Sequence, residues 1–146
     1  MTPKQLDIKK WLNRAFHANN KANALEALVK QLRERAQSVS VCYECNDTGK
    51  SSSTKNGVEN AYMRLADTEM KLCNQIIELL DIDDEIRDVI SKLNDNDLET
   101  VMIHRYLLFH TIEETAELIN CSPETVKRKH RKAIEKLEKL TPFDLE

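Results

Sequence analysis

Apolar and small residues recur along the first quarter of the chain at Trp11, Ala15, Ala18, Ala22, Leu25, Val29, Leu32 and Ala36, in steps that alternate between four and three. An α-helix turns once every 3.6 residues, so this spacing keeps one narrow face apolar and predicts a helix that needs a helical partner. Pro3 suits its first turn, with Thr2 as N-cap. Alanine at several seam positions would let that partner approach closely. The period fails at SVSVCYECNDTGKSSSTKNG, where Ser, Asn, Asp, Gly and Thr dominate, and a polar loop near residues 37–57 is expected there.

The helical period returns at Val58, Tyr62, Leu65, Leu72, Ile76 and Leu79, then Ile82, Ile86, Val89, Ile90 and Leu93. One helix near 57–93 is expected. Asp81 or Asp83 would cap a fresh start if it kinks. It should fold back on the first helix as an antiparallel hairpin. NDND at 94–97 breaks the pattern, and a further helix carries Leu98, Val101, Met102, Tyr106 and Leu107 on one side. Thr111 with Glu114 three residues on forms a capping box for a short helix ending at Ile119. NCS turns the chain. Ser122 and Pro123 then open a last helix, which runs to about Leu140 before Pro142. The fold class is all-α: a long antiparallel helical hairpin over residues 1–93, coiled-coil-like, followed by a helix-turn-helix domain over 94–146.

Composition supports this. Gly occurs twice and Pro three times among 146 residues, which disfavours a sheet. No apolar run approaches the roughly 20 residues that span a bilayer. MTPKQLDIKKWLNRAF lacks the apolar stretch of a signal peptide, so a cytoplasmic protein is expected, with no membrane partner. The net charge of −3 conceals a segregation: residues 1–36 carry +5, residues 37–121 carry −10, and residues 122–140 carry +4. A polyanion responds to local sign, and two basic segments flank an acidic middle.

The second basic segment lies in TIEETAELINCSPETVKRKHRKAIEKL, Thr111 to Leu137. A short helix, a three-residue turn and a longer basic helix are the parts of a helix-turn-helix. Ile112, Ala116 and Ile119 form the inward stripe of the first helix. Val126, Ala133, Ile134 and Leu137 form that of the second, and the small Ala116 allows a close crossing. Glu124, Thr125, Lys127, Arg128 and Arg131 are left outward near the helix start, the part that enters a major groove in this motif. Long cationic donors reach guanine edges or phosphates, and a Glu can accept from cytosine. Ser122 and the N–H groups beside it offer an anion site. The DNA-binding candidates are therefore Ser122, Glu124, Thr125, Lys127, Arg128, Arg131 and Lys132, and the partner is double-stranded DNA.

The same stretch resembles region four of sigma-70-type sigma factors and the helix-turn-helix of LuxR-type regulators. The shared pattern is Glu113, Glu114, Ala116, Thr125, Val126, Lys127, Ala133 and Ile134, preceded by LETVMIHRYLLFHT, which is similar to the helix before that motif. The resemblance implies base or phosphate contacts for Glu124, Thr125, Lys127 and Arg128. Thr115 and Cys121 depart from the aliphatic residues usual there. His130 replaces another aliphatic. Its place after Val126 and before Ala133 resembles small phage-encoded activators of the ArpU/RinA type, which also carry a long helical N-terminal half. That resemblance implies a phage or prophage transcription regulator of the late-gene activator type.

Two other readings compete. A small sigma-like factor or RNA polymerase-binding adaptor would use the same module. A coiled-coil interaction protein would bind an acidic partner and no DNA, but it would need neither the capped turn nor Ala116. A single helix-turn-helix makes few base contacts, so a homodimer is expected.

The remaining conspicuous residues suggest no further chemistry. Cys42 and Cys45 lack the two extra ligands a structural zinc requires, so free thiols are expected and no metal. His130 reads as a half-buried core residue bonded to backbone. His104 and His110 would pair with nearby Glu or backbone. Asp81, Asp83, Asp84 and Glu85 read as a solvated helix start. With no phosphate loop and no nucleophile beside a base, neither an enzyme nor a cofactor is expected.

Overall fold

The computed structural model describes residues 1–45 and 52–140, with side chains at 1–42 and 56–140. These residues form six helices: α1 (Pro3–Leu12), α2 (Arg14–Cys45), α3 (Ser52–Ser91), α4 (Asn96–Tyr106), α5 (Ile112–Leu118) and α6 (Pro123–Leu140). The all-α class is as expected. The chain divides into two compact units, Met1–Ala18 with Leu79–Glu146, and Asn19–Glu78.

The unit Asn19–Glu78 is built from the middle of α2 and of α3. Arg33 pairs with Glu69 at 2.9 Å, while Lys21 and Leu25 share a groove with Asn74, Gln75 and Glu78. Later positions on α2 thus meet earlier ones on α3, and the two run antiparallel. Ala22, Val29 and Ala36 are buried and Leu25 and Leu32 half-buried, so the alanine-bearing seam is used inside the chain. On α3 the expected inward set needs correction. Tyr62 and Ile76 are exposed, while Ala61, Leu65, Thr68, Leu72 and Gln75 turn inward. Strict alternation of three and four around Leu65 and Leu72 selects these less apolar residues, and helical geometry outranks side-chain type.

The loop expected near 37–57 is also corrected. Residues 37–45 continue α2 and 52–57 open α3; residues 46–51 lie outside the described part. Ser and Asn cost a helix only tenths of a kcal/mol, roughly, so polarity alone does not end one. Ser38 bonds back to the Glu34 carbonyl at 3.0 Å within the ladder. No fresh helix start occurs at Asp81 or Asp83, and α3 continues through both. The acidic cluster is therefore not a helix start: Glu85 pairs with Arg14, Asp84 with Arg87, and Asp83 is partly buried, which raises its carboxyl pKa.

In the other unit, one core gathers Ile8, Leu12 and Ala15 with Ile86 and Ile90 of α3, Leu93 just past it, Leu98, Met102 and Tyr106 of α4, and Ala133, Ile134 and Leu137 of α6. The N-terminal helix thus packs on the last one, whereas sequence periodicity placed its boundary at residue 93. Thr2 caps α1 in a capping box with Gln5. Both residues also bond Glu138, Thr2 Oγ1 at 3.0 Å and Gln5 Nε2 at 2.7 Å. These bonds fix the start of α1 against the end of α6. Lys136 reaches the Leu93 carbonyl from the other side.

Candidate nucleic-acid interface

Helices α5 and α6 meet through Ala116 and Val126, 3% and 0% exposed, over Val101 of α4. Ile112, Ile119 and Cys121 close the edges of this small cluster. Ala116 presents only a methyl group, so Val126 seats directly upon it. Thr115, polar where an aliphatic is usual, is fully buried, and its hydroxyl donates to the Thr111 carbonyl at 2.8 Å. Satisfying that hydroxyl inside its own helix removes the main penalty of burying it. Cys121 fits the same apolar rim.

The turn between the helices has a specific geometry. Asn120 adopts φ 53, the left-handed region. Its N–H bonds the Glu117 carbonyl at 3.4 Å, and the Cys121 N–H bonds the Ala116 carbonyl at 3.0 Å. This is a Schellman ending, in which asparagine takes the place usually held by glycine. It stops α5 and aims the chain into α6. The capping box at its other end is as expected: Thr111 Oγ1 accepts the Glu114 N–H at 3.2 Å, and Glu114 accepts the Thr111 N–H at 2.7 Å.

Ser122 opens α6 as its cap. Its hydroxyl oxygen accepts the Thr125 N–H at 3.2 Å and lies 2.8 Å from the Thr125 hydroxyl. Pro123 has no N–H, so the Glu124 N–H is the donor left at this positive helix end. Glu124, Lys127, Arg128, Arg131 and Lys132 are all exposed, and Thr125 is half-buried. Lys127 and Glu124 pair at 3.3 Å on the surface, while Arg128 and Lys132 line a groove with Asp95 and Asp97 of α4. Lys129, outside the candidate set, is held at 3.1 Å by Asp97. The exposed candidates share the face of α6 opposite Val126 and Ala133.

Two further cations join this surface without having stood out in the sequence. Lys9 on α1 has its pKa lowered by burial and then by the charges of Arg105 and Arg131. Arg105 of α4 and Arg131 of α6 each lie close enough to repel this charge on α1. The +5 of the N-terminal segment was legible, but its meeting with α6 depends on tertiary packing. Arg105 also donates to the His110 carbonyl at 2.7 Å, bracing the turn where Phe109 adopts φ 58.

The histidines depart from expectation. His130 is half-buried as expected, but its partner is a side chain: Nε2 lies 2.7 Å from the Tyr106 hydroxyl. Burial pushes the Tyr106 pKa up to about 12, so the phenol keeps its proton. Burial, then the charges of Lys9 and Arg105, push the His130 pKa down from 6.5 to about 4. The ring is therefore neutral at pH 7. His104 and His110 pair with each other, their Nδ1 atoms 3.0 Å apart and their rings stacked. One ring donates and the other accepts.

A pH dependence follows. The unfolded chain binds a proton at His130 near pH 6.5, while the folded chain resists it down to about 4. Between those values the unfolded state holds more protons, so stability falls as pH falls. The full loss is up to roughly 3 kcal/mol near pH 4. His104, whose pKa is lowered by burial and then by His110, adds to the same trend. Melting temperature measured from pH 7 to 4 should fall less steeply for His130→Leu than for the parent; equal slopes would refute the assignment.

No helix among the described residues is long and apolar enough to cross a membrane. No group of three or more His, Cys, Asp or Glu side chains among them is placed to hold a metal. Cys42 lies near the end of α2 as a free, exposed thiol, and the Cys45 side chain is outside the described set.

Comparison with known proteins gives one positive finding. Residues 50–141, from just before α3 to just past α6, match the family of ECF sigma factors. No curated protein and no solved structure matches the chain. The match covers well over half of the 146 residues and includes both helices of the motif. The chain belongs to the ECF sigma factor family, and is a sigma-like, DNA-binding regulator of transcription.

Proposed function

We propose that the protein is a sequence-specific regulator, of the phage or prophage activator type, that reads double-stranded DNA with the first two turns of α6. The observation that carries this reading is the cationic face of α6, held outward by the packing of Val126 on Ala116. Lys127 and Arg128 are the base-reading candidates, with Glu124 and Thr125 beside them. Ser122, Arg131 and Lys132 serve the phosphates, and Lys9 and Arg105 extend the basic surface. His130, placed between Val126 and Ala133, and the long helical N-terminal half support the ArpU/RinA-type reading. We also propose that it acts as a homodimer, because one motif reads too few bases for useful specificity.

Selection of bound sequences from random duplex DNA tests this directly, since it should return one motif, repeated with two-fold symmetry if the dimer reads two half-sites. Affinity for the selected duplex should fall with salt, log affinity against log salt having a slope of about −0.9 for each phosphate neutralised. A flat profile would refute DNA binding. The family match favours one second reading, a sigma-like factor that needs RNA polymerase. Capture of polymerase subunits in the absence of DNA, with no selected motif for the protein alone, would establish that alternative.

A further inference from the structure

The long helix α3 carries a second heptad repeat on the face away from α2. Met63, Ala66, Met70, Cys73 and Ile77 follow one another in steps of three and four, and all five are exposed. Met63, Met70 and Ile77 are 64%, 66% and 57% exposed. Tyr62 and Ile76 widen the stripe on one side. Solvated helix faces carry charges at these positions, and a stripe this continuous marks an interface. The alanine seam of α2, at Ala22, Val29 and Ala36, is already buried within the chain and is closed to a second copy.

We propose that this stripe is the surface on which a second copy of the chain docks, α3 against α3 and antiparallel. This rests on the homodimer proposed above and gives it a location. The argument is the fit of the stripe to itself. In antiparallel helix pairs, each residue that begins a heptad step packs against one from the other half of the step. With the two-fold axis between Met70 and Cys73, Met70 packs on Cys73 of the second copy. Ile77 then packs on Ala66 of the second copy. Both layers set a long side chain against a small one, the arrangement that lets facing layers interdigitate. The flanking charges fit as well: Asp67 falls opposite Asn74 and Glu69 opposite Ile76, so no like charges are brought face to face along this stretch. A parallel pairing would stack Met70 on Met70 and Ala66 on Ala66, with no such match of sizes.

The test is sedimentation equilibrium of the full chain across micromolar concentrations. The parent should approach twice its 16.9 kDa mass. Met70→Glu with Ile77→Glu should raise the dissociation constant at least roughly a hundredfold, because the new carboxylates would be buried without partners. Both positions are exposed in the single chain, so its helicity should not change, and circular dichroism checks this. The register is read separately: Met70→Cys should cross-link to Cys73 of the second copy when oxidised glutathione takes up the two electrons and two protons. The same variant carrying Cys73→Ser should not. A monomeric parent would overturn both the dimer and this surface, leaving the stripe to another protein. A dimer that survives the double substitution would overturn the surface alone. Neither result touches DNA reading by α6, which a duplex carrying one half-site measures independently.

Discussion

Replacing Lys127 and Arg128 together with alanine should lower affinity for the selected duplex by about two to four orders of magnitude, at about 1–3 kcal/mol for each lost base contact. The fold should be nearly indifferent to the change. Both side chains are exposed on α6, and Lys127 has only a surface ion pair with Glu124 at 3.3 Å. Such pairs contribute at most about 1 kcal/mol, and alanine is the better helix former. Helicity and melting temperature should therefore stay close to the parent's while fluorescence polarisation reports the loss of binding. The two substitutions also separate base reading from phosphate attraction. If Arg128→Ala removes a guanine contact, it lowers affinity for the selected duplex and leaves that for random duplex largely unchanged. A residue that meets only phosphate lowers both alike and reduces the salt slope by about one. Arg131→Ala and Lys132→Ala are expected to behave in this second way. Unchanged polarisation for the double variant would remove α6 as the reading helix.

Legibility of this chain followed the reach of each physical cause. Local causes were readable. The N-cap at Thr2, the capping box at Thr111, the turn after Ile119 and the stripe that sets Val126 on Ala116 are all decided within a few residues, and the structure places them where spacing put them. Errors arose where composition stood in for geometry. Ser38 and its polar neighbours looked like loop and are helix, because a helix extends on hydrogen bonds and needs apolar residues only on its packed face. Tyr62 and Ile76 looked like core because they are large and apolar, yet the period excludes them and gives their places to Ala61 and Gln75. What no local rule could supply was the meeting of distant segments. Nothing near His130 announces that Tyr106 will be its partner, and nothing near Lys9 announces Arg105 and Arg131. The exposed part of the candidate site was legible, since surface charge needs no partner. The bracing behind it was not.

That bracing leads to the largest expected effect on stability, Leu12→Ala. Leu12 is 0% exposed, in the core shared by α1, α3, α4 and α6. Truncating a leucine so enclosed costs about 2–5 kcal/mol, the higher end where neighbours cannot collapse into the cavity. Here they are constrained: Ile134 and Leu137 belong to α6, whose far end is tied to Thr2 and Gln5 through Glu138, and Leu93 lies just past Ile90 and the end of α3, where Lys136 bonds its carbonyl. Marginal stability of ~5–15 kcal/mol means that a loss of this size is a sizeable share of the total. A helix outside the C-terminal motif would thus be essential to it. Leu12→Ala should lower the melting temperature and, at temperatures where the variant is partly unfolded, lower DNA affinity in proportion to the folded fraction. At low temperature, where it is folded, affinity should match the parent's, because Leu12 lies in the buried core and not on the exposed face of α6. A fragment starting at residue 94 should fare worse still, since Ile8, Leu12, Ile86, Ile90 and Leu93 would all leave the core together. If that fragment folds and binds DNA with full affinity, α1 is an ornament of the motif and not its support, and the boundary that periodicity placed at residue 93 is the functional one after all.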